Sequence, residues 1–339
     1  MPRPSIVIVC PATSQSNSGN WRTAERWRRM TASFARARIV TQWTGEPFDL
    51  MIALHARRSA RSIAAWDGAR MQAGAAASRL PLIVVLTGTD LYRDIESDPD
   101  ARRSLQLADA LVVLQEQGPL SLPPQAREKA TVIYQSSGRR RTLPKTRRHL
   151  RAIMVGHLRN EKSPQTLFDA ARLLRERSDI RIDHVGAALD SALAQQAART
   201  ARACPGFRWL GAQPHSEALR RIQRSHLLIS ASSIEGGAHA VLEAICAGTP
   251  VLASRIPGNI GMLGTAYSGY FPCGDAQALA DLLQRCRDEP RLLATLCRQC
   301  RVRAPRFEPA REQRALRRLI ARLMSAAGQA PRRLDDGPA

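Results

Sequence analysis

The sequence of 339 residues is poor in aromatic residues and in lysine, and it lacks any long apolar run. Its longest apolar run, residues 80–86, is far shorter than the roughly 20 residues that cross a bilayer. The apolar run at residues 6–10 is also too short for the hydrophobic part of a secretory signal. Seven cysteines, an odd number without framework spacing, suit a reducing compartment. We therefore expect a cytoplasmic protein without membrane spans.

Basic charge, by contrast, is abundant: 51 Lys and Arg residues face 29 acidic ones, for a formal net charge of +22. A nucleic-acid binder would combine such a charge with aromatic stacking surfaces, yet aromatic residues make up only 4% of the chain. Only three of the basic residues are lysine, and the arginines are spread over the whole chain, as codon bias produces. We therefore expect no nucleic-acid partner, whereas a local site for an anionic substrate fits the charge.

Short apolar runs alternate with helical patterns along the chain, which predicts parallel sheets built from β-α-β units. The predicted strands are residues 5–11, 37–43, 48–56, 80–88, 110–115 and 130–136 in the first half, and 150–158, 180–186, 207–211, 226–232 and 249–254 in the second. This pattern predicts two Rossmann-like, doubly wound α/β domains that face a central cleft. Such sheets bind ligands at the carboxyl ends of their strands.

Composition divides the chain into five predicted parts. They are a first domain at 1–136, a basic, Gly- and Pro-containing linker at 137–150, a second domain at 151–308, a C-terminal helix at 309–325 and a disordered tail at 326–339. We expect the C-terminal helix to pack back against the first domain. The oligomeric state is left open.

The segment EGGAHAVLEAICAGTPVLAS, residues 235–254, places two glutamates in a helix-and-strand unit that otherwise has the pattern of buried core. Gly236 and Gly237 allow a tight turn into a helix, whose first N–H groups form an anion site. If helical throughout, Glu235 and Glu243 stand roughly 12 Å apart along the axis. An extended ligand with an anionic centre and hydroxyls at both ends, such as a nucleotide-sugar, would span them. A carboxylate that stands alone on a helix is usually just an exposed surface group. Here, however, the glycine turn, the two glutamates and the strand occur together.

This segment resembles the donor-site signature of GT-B glycosyltransferases of the large retaining family 4. The resemblance implies that Glu243 holds the nucleotide ribose and that Glu235 reaches the hydroxyls of the transferred sugar. It also implies that no catalytic metal takes part. The UDP-sugar and the acceptor are both substrates, so we expect no cofactor. The residues implied to bind the donor are Gly19, His157, Gly236, Gly237, Ala238, His239 and Glu243.

The same family carries an Arg and a Lys after the first strand of its second domain. Here the segment reads VGHLRNEKSP, residues 155–164: Lys162 matches the lysine, His157 occupies the position of the arginine, and Arg159 lies two residues later. The resemblance implies that Lys162 and Arg159, with Glu235, form the catalytic set, and that the two cations neutralise the leaving diphosphate. Whether His157 or Arg159 takes the role of the family's arginine stays open.

Six further segments, at 19–27, 49–63, 84–95, 132–136, 156–164 and 254–264, together resemble the selenosugar synthases of selenoneine biosynthesis. That resemblance implies transfer of a sugar from UDP-N-acetylglucosamine or UDP-glucose to selenophosphate, giving a 1-seleno-sugar, UDP and phosphate. An acceptor that arrives anionic needs positioning and charge neutralisation more than a base. The candidate acceptor-binding residues are Asn20, Arg22, His55, Arg57, Thr87, Thr89 and Arg93. A thiophosphate acceptor would fit the same residues.

Structural interpretations compete with some of these roles. Thr87, Thr89 and Asp90 would also suit a capped turn after a strand, and His55 would suit a hydrogen-bonded core histidine. An alternative function is a GT-B enzyme with a lipid, sugar or thiol-type acceptor on an anionic membrane, with residues 20–38 as an amphipathic helix. We favour a helix packed on its own domain, and expect small-molecule substrates and no membrane partner.

Overall fold

The computed structural model describes residues 3–13, 19–72 and 80–328, and the chain falls into two units. Unit 1 contains Met1–Tyr134 together with Ala310–Ala339, and unit 2 contains Gln135–Pro309. The division after residue 134 lies two residues before the predicted end of the first domain. Of the predicted disordered tail, residues 326–328 are helical, and residues 329–339 lie outside the described part of the chain.

Unit 1 contains a parallel sheet of six strands in the order β2-β1-β3-β4-β5-β6. Its first strand shows why the sequence reads as an unbroken apolar run. Val7 and Val9 pack on one side of the sheet and Ile6 and Ile8 on the other, and all four are fully buried. A parallel sheet covered on both faces requires such strands. The strands are β1 Ser5–Val9, β2 Arg36–Val40, β3 Leu50–Leu54, β4 Leu82–Leu86, β5 Ala110–Val113 and β6 Ala130–Val132.

The helices of this unit include one that returns from the far end of the sequence. They are α1 Gly19–Thr31, α2 Ala60–Gln72, α3 Ile95–Ser97, α4 Pro99–Leu107, α5 Pro124–Arg127 and α13 Pro309–Gly328, with a π-helical turn at Asp90–Asp94 and a 3₁₀ turn at Gly118–Ser121. Trp27 of α1 donates its indole N–H to the buried carboxylate of Glu312 at 2.7 Å. Arg26 also pairs with Glu312 at 2.8 Å. The C-terminal helix therefore packs on α1 through a buried acid with two donors.

The single helix predicted at 20–38 is wrong in its second half. Helix α1 ends at Thr31, and β2 begins at Arg36. Its apolar stripe is covered, because Ala24 and Trp27 are fully buried in a cluster with Leu316 and Leu319 of α13. This packing favours a domain helix over a membrane-binding one. No helix in residues 3–13, 19–72 or 80–328 is long and apolar enough to span a membrane.

Unit 2 contains a second parallel sheet, in the order β12-β11-β10-β7-β8-β9. Its strands are β7 Leu150–Val155, β8 Ile180–Val185, β9 Phe207–Trp209, β10 Leu227–Ser230, β11 Val251–Ser254 and β12 Tyr270–Phe271. Strand β12 is not among the predicted strands, because two residues carry no periodicity. The chain moves outward from β7 in one direction and from β10 in the other, so the switch point of this sheet lies between β7 and β10.

Seven helices in the described part of unit 2 surround this sheet. They are α6 Pro164–Leu173, α7 Ser191–Ala203, α8 His215–Arg224, α9 His239–Cys246, α10 Pro257–Leu263, α11 Ala276–Asp288 and α12 Pro290–Arg303, with 3₁₀ turns at Asn160–Lys162 and Ala304–Phe307. The predicted linker has no helix or strand before Leu150, but it is attached to this unit. Arg140 donates its backbone N–H to the carbonyl of Cys246 at 3.0 Å, and the Thr142 hydroxyl bonds the carbonyl of Ala247 at 3.0 Å.

Candidate functional site

Lys162 and Glu235 form an ion pair at the switch point of unit 2. Lys162 ends the 3₁₀ turn after β7, and Glu235 lies in the loop after β10, so 73 residues of chain separate them. The two loops are also joined through the backbone, where the N–H of Ser233 donates to the carbonyl of Glu161 at 3.0 Å. Both partners are largely buried, with side chains 18% and 10% exposed. The switch point therefore holds a cation and a carboxylate that the sequence predicted to act together.

The position of Glu235 depends on two residues that were not predicted as part of the site. The hydroxyl of Ser232 donates to Oε1 of Glu235 at 2.6 Å, which adds a second donor to the carboxylate. Gly258, in the first turn of α10, lies so close that a Cβ there would be 1.9 Å from the carbonyl oxygen of Glu235. Only glycine allows that approach. The Pro257–Gly258 pair marks only the start of a helix in the sequence, and it does not point to Glu235.

The loop that carries Lys162 is supported by β8. A Cβ at Gly186, where φ is +158°, would lie 1.8 Å from the carbonyl oxygen of Gly156, so the two backbones touch. His184 is fully buried and its Nε2 lies 3.1 Å from the same carbonyl, to which it donates. Burial lowers the pKa of His184 to about 4, partly offset by this hydrogen bond. The neutral imidazole therefore fixes the end of β7.

His157 and Arg159 occupy different environments in this loop. Nδ1 of His157 accepts the backbone N–H of Ala187 at 3.2 Å, so a neutral His157 carries its hydrogen on Nε2. The side chain of Arg159 is exposed, and its guanidinium forms no hydrogen bond or ion pair with any residue that the structure describes. His157 is therefore held against β8, whereas Arg159 is the cation available to a ligand. Their roles toward a diphosphate remain predictions.

Glu243 lies inside α9, and its carboxylate is buried rather than exposed. The residue is 7% exposed, and Oε1 lies 2.7 Å from Nε2 of His215, the first residue of α8. The sequence did not single out His215, since a histidine before a polar helix carries no signal. Helix α9 begins only at His239, so the helical spacing of 12 Å expected between the glutamates does not apply.

The residues between the glutamates lead into an uncapped helix. Gly236 is buried, and Gly237 precedes Ala238, which occupies the N-cap position of α9 without a side-chain hydrogen bond. The first-turn N–H groups of α9, from His239 onward, thus have no cap from the Ala238 side chain. This part of the structure is compatible with the predicted anion site, and its ligand contacts remain a prediction.

In unit 1, His55 and Thr89 form a buried pair at the ends of β3 and β4. His55 adopts a left-handed conformation with φ of +73°, which is uncommon for a residue other than glycine. Its Nδ1 accepts the backbone N–H of Arg58 at 3.3 Å, so Nε2 carries the hydrogen and donates to the Thr89 hydroxyl at 3.0 Å. Burial is the main cause that lowers the pKa of His55, although Asp90 and Asp94 act against it. The half-buried Thr89 hydroxyl is then left to donate its own hydrogen.

Asp90 confirms the structural interpretation of its turn. Its Oδ1 accepts the backbone N–H groups of Thr87 and Gly88, both at 2.9 Å. Its Oδ2 accepts the N–H of Ala56 at 3.0 Å, which connects the loops after β3 and β4. The carboxylate is fully buried, so Asp90 organises the loop and is not exposed to a ligand.

Two of the three predicted arginines of unit 1, Arg57 and Arg93, are exposed and paired with acids. Arg57 contacts Asp98 at 2.7 Å, and Arg93 contacts Asp94 at 3.1 Å, with each arginine side chain about half exposed. The remaining predicted residues of this unit lie in the first turn of α1 and in the loop after β4. Gly19, Asn20 and Arg22 form the first turn of α1, and Thr87 is half-buried. Their roles as ligand contacts stay predictions.

Most of unit 2 matches a known protein family. Residues 139–305 match the family described as Glycosyl transferases group 1. Unit 2 is similar to that family over these residues. The match contains both of the glutamates and Lys162, so the ion pair at the switch point lies within the matched stretch.

Solved structures extend the likeness to the whole chain. The protein Alr3699/HepE of Anabaena, in complex with UDP and glucose, superimposes with a TM-score of 0.73 at 16% identity, covering 96% of this chain and 100% of that one. A sucrose-phosphate synthase from Thermosynechococcus elongatus gives a TM-score of 0.76 at 15% identity, with coverage of 96% and 100%. A glycosyltransferase from Rickettsia africae ESF-5 gives 0.68 at 13%, with coverage of 97% and 100%. The chain therefore has the GT-B fold, as predicted.

No group of three or more His, Cys, Asp or Glu side chains is placed to hold a metal ion within residues 3–13, 19–72 and 80–328. The expectation that the reaction proceeds without a cofactor remains a prediction.

Proposed function

We propose that the protein transfers a sugar from a UDP-sugar, UDP-N-acetylglucosamine or UDP-glucose, to selenophosphate, forming a 1-seleno-sugar. The observation that carries this proposal is the pair of Lys162 and Glu235, held by Ser232 and Gly258 beside the start of α9. A nucleotide-sugar carries its diphosphate next to the hydroxyls of its sugar. Its binding site therefore needs one group for each, side by side, and Lys162 and Glu235 lie side by side.

The donor would occupy the ends of β7 and β10. Lys162 exchanges Glu235 for the diphosphate, and Arg159, which has no partner in the described chain, adds a second cation. Glu235 then accepts hydrogen bonds from the sugar hydroxyls, and the N–H groups at the start of α9 face the phosphates. Glu243 accepts hydrogen bonds from the ribose. The UDP bound to Alr3699/HepE of Anabaena, which has the same fold, supports a UDP-sugar as donor.

The acceptor half of the proposal rests on unit 1. Because Nε2 of His55 donates to Thr89, one lone pair of the Thr89 hydroxyl is used and its own hydrogen can be donated to a ligand. A hydroxyl held as a donor suits an anion such as selenophosphate. Arg57 and Arg93 lie on the same loops, and an acceptor phosphate would compete with Asp98 and Asp94 for them.

The chemistry consists of two substitutions. Selenium attacks the anomeric carbon and forms a C–Se bond, while the C–O bond to the β-phosphate breaks and UDP leaves with the electron pair. Lys162, Arg159 and the α9 N–H groups stabilise the charge on the departing diphosphate. Water then attacks phosphorus, the P–Se electron pair moves to selenium, and one water proton completes the selenol as phosphate is released.

The test is incubation of the purified protein with UDP-N-acetylglucosamine or UDP-glucose and fresh selenophosphate, followed by mass spectrometry. We expect a seleno-sugar and UDP from the intact protein and neither from Glu243→Ala. The matched control is Glu289→Ala, which removes an exposed glutamate of the same unit and should leave the products unchanged.

Two other results would redirect the proposal. Release of UDP without a selenium-containing product would retain a UDP-sugar glycosyltransferase and exclude selenophosphate as the acceptor. A parallel reaction with thiophosphate separates the two chalcogens: an equal yield of thio-sugar would contradict a selenium-specific acceptor site.

A further inference from the structure

His215 is a residue of unit 2 to which no role has been assigned, and it contacts one of the two glutamates directly. Its Nε2 lies 2.7 Å from Oε1 of Glu243. The histidine side chain is 43% exposed, whereas that of Glu243 is 8% exposed. A carboxylate oxygen accepts and does not donate, so the hydrogen lies on Nε2. Glu243 therefore receives a hydrogen bond from a neighbouring helix that reaches it from the solvent side.

The helix that carries His215 is firmly packed. Leu219 and Ile222 of α8 are buried, and the hydroxyl of Thr249, which precedes β11, donates to the carbonyl of Ile222 at 2.9 Å. As the first residue of α8, following Pro214, His215 has little backbone freedom. A short side chain on a rigid helix holds its hydrogen-bond partner in one orientation at low entropic cost.

We infer that His215 is a positioning residue that orients the Glu243 carboxylate toward the ribose hydroxyls of the bound nucleotide. This inference rests on the proposed function, in which Glu243 accepts those hydroxyls. Ribose hydroxyls are directional donors, so the energy they gain depends on where the carboxylate lone pairs point. His215 thereby makes the donor site selective for a ribonucleotide without touching the ligand.

Isothermal titration calorimetry with UDP and with 2′,3′-dideoxy-UDP tests this role. We expect His215→Ala to weaken UDP binding about tenfold, the size of one hydrogen bond to a charged group. The affinity of His215→Ala for the dideoxy analogue should stay within about twofold of that of the intact protein, because the analogue lacks the hydroxyls that donate to Glu243. In turnover, KM for the UDP-sugar should rise by a similar factor while kcat changes little.

A conservative variant and a matched control separate positioning from mere structure. His215→Gln places an amide N–H at a reach similar to Nε2 and should recover most of the UDP affinity. His149→Ala removes a histidine of the same unit that contacts Arg151 instead, and it should bind UDP normally. All variants are compared by thermal unfolding, and His215→Gln provides the comparison if the alanine variant does not fold.

The outcomes are distinct. Equal loss of affinity for UDP and for the dideoxy analogue, or no loss for either, would overturn the positioning role and leave the proposed function intact. Failure of the intact protein to bind UDP would overturn the proposed function and this inference together.

Discussion

The two units place polar side chains at the ends of their strands in different ways. In unit 2, Lys162 and Glu235 pair across two loops, and His215 pairs with Glu243 across two helices. In unit 1, the buried Asp90 is used entirely by backbone N–H groups, and the exposed Arg57 is neutralised by the nearby Asp98. Unit 2 thus pairs its ionisable side chains with one another, between segments that lie apart in the sequence. Unit 1 uses its buried acid to shape a loop and keeps its cations in pairs that a ligand must open.

The largest effect is expected at the switch point of unit 2. Lys162→Met should lower kcat for UDP release by about 100- to 1000-fold, because the departing diphosphate loses the cation that stabilises it. The unfolding temperature should also fall, because the largely buried Glu235 loses its cation and keeps only the Ser232 hydroxyl. Activity is therefore compared at a temperature at which both proteins are folded. The control is Arg172→Met, which removes a half-exposed arginine paired with Asp169 on α6. Retention of more than a tenth of the activity by Lys162→Met would contradict the assignment.

The next effect separates stability from catalysis in unit 1. Asp90→Asn should destabilise the protein by about 3 kcal/mol, because an amide NH₂ would replace one of two oxygens that together accept three backbone N–H groups. Urea unfolding measures the change. Asp100→Asn, at an exposed position in the same unit, should shift stability by less than about 1 kcal/mol. A loss of activity by Asp90→Asn without a loss of stability would assign Asp90 to the ligand instead.

A third prediction concerns the support of the Lys162 loop by His184. Its pKa is about 4 in the folded protein against 6.5 as the ordinary value, so the unfolded chain binds a proton between these values. The stability that neutral His184 contributes is therefore complete above pH 6.5 and is lost as the pH falls toward 4. Between pH 6.5 and 4, we expect the free energy of unfolding of His184→Gln to fall by on the order of 2 kcal/mol less than that of the intact protein.

The free energies of unfolding of the intact protein and of His184→Gln, measured from pH 4 to 8, give this difference. His55 and His226, whose pKa values are also lowered by burial, remain in both proteins, so the difference between the curves isolates His184. Parallel curves would show that His184 does not titrate with unfolding.

The smallest effect is expected for an arginine of unit 1 that is already paired. Arg57→Gln should raise KM for selenophosphate by about threefold and leave kcat unchanged, because an exposed ion pair with Asp98 offsets much of its charge. Arg61→Gln, an exposed arginine in α2, is the control and should change neither constant. A larger effect of Arg57→Gln than of Lys162→Met would reverse the contrast between the units.

Much of the fold could be predicted because its strands are buried on both faces. All eleven predicted strands are present. Short continuous apolar runs such as residues 5–11 and 80–88 are typical of strands buried on both faces of a parallel sheet. The errors lie where periodicity fails. Strand β12 has two residues, and the arginine-rich segment 32–38 continues a helical pattern although the chain turns into β2.

The site divides in a similar way. Glu235 and Glu243 stood out in the sequence as two glutamates in a glycine-containing helix-and-strand unit, and Lys162 was identified by the resemblance to the glycosyltransferase family. Ser232, His215 and Gly258 were not identified. The contact of Ser232 with Glu235 depends on how the loop after β10 folds, and His215 and Gly258 each contact a residue more than 20 positions away. Gly258 is the clearest case: its glycine is required by the backbone of Glu235, 23 residues earlier, which no local pattern reveals.

The sequence by itself determined the two parallel α/β units, the order of their strands along the chain and which three ionisable residues belong to the predicted donor site. These follow from hydrophobic periodicity and residue type, which are local properties. Only the tertiary structure decided that β7 and β10 are neighbours, and with that the pairing of Lys162 with Glu235. It also decided that α8 lies against α9, where His215 pairs with Glu243. Strand order and side-chain direction depend on packing between distant segments, and that packing sets which charges meet.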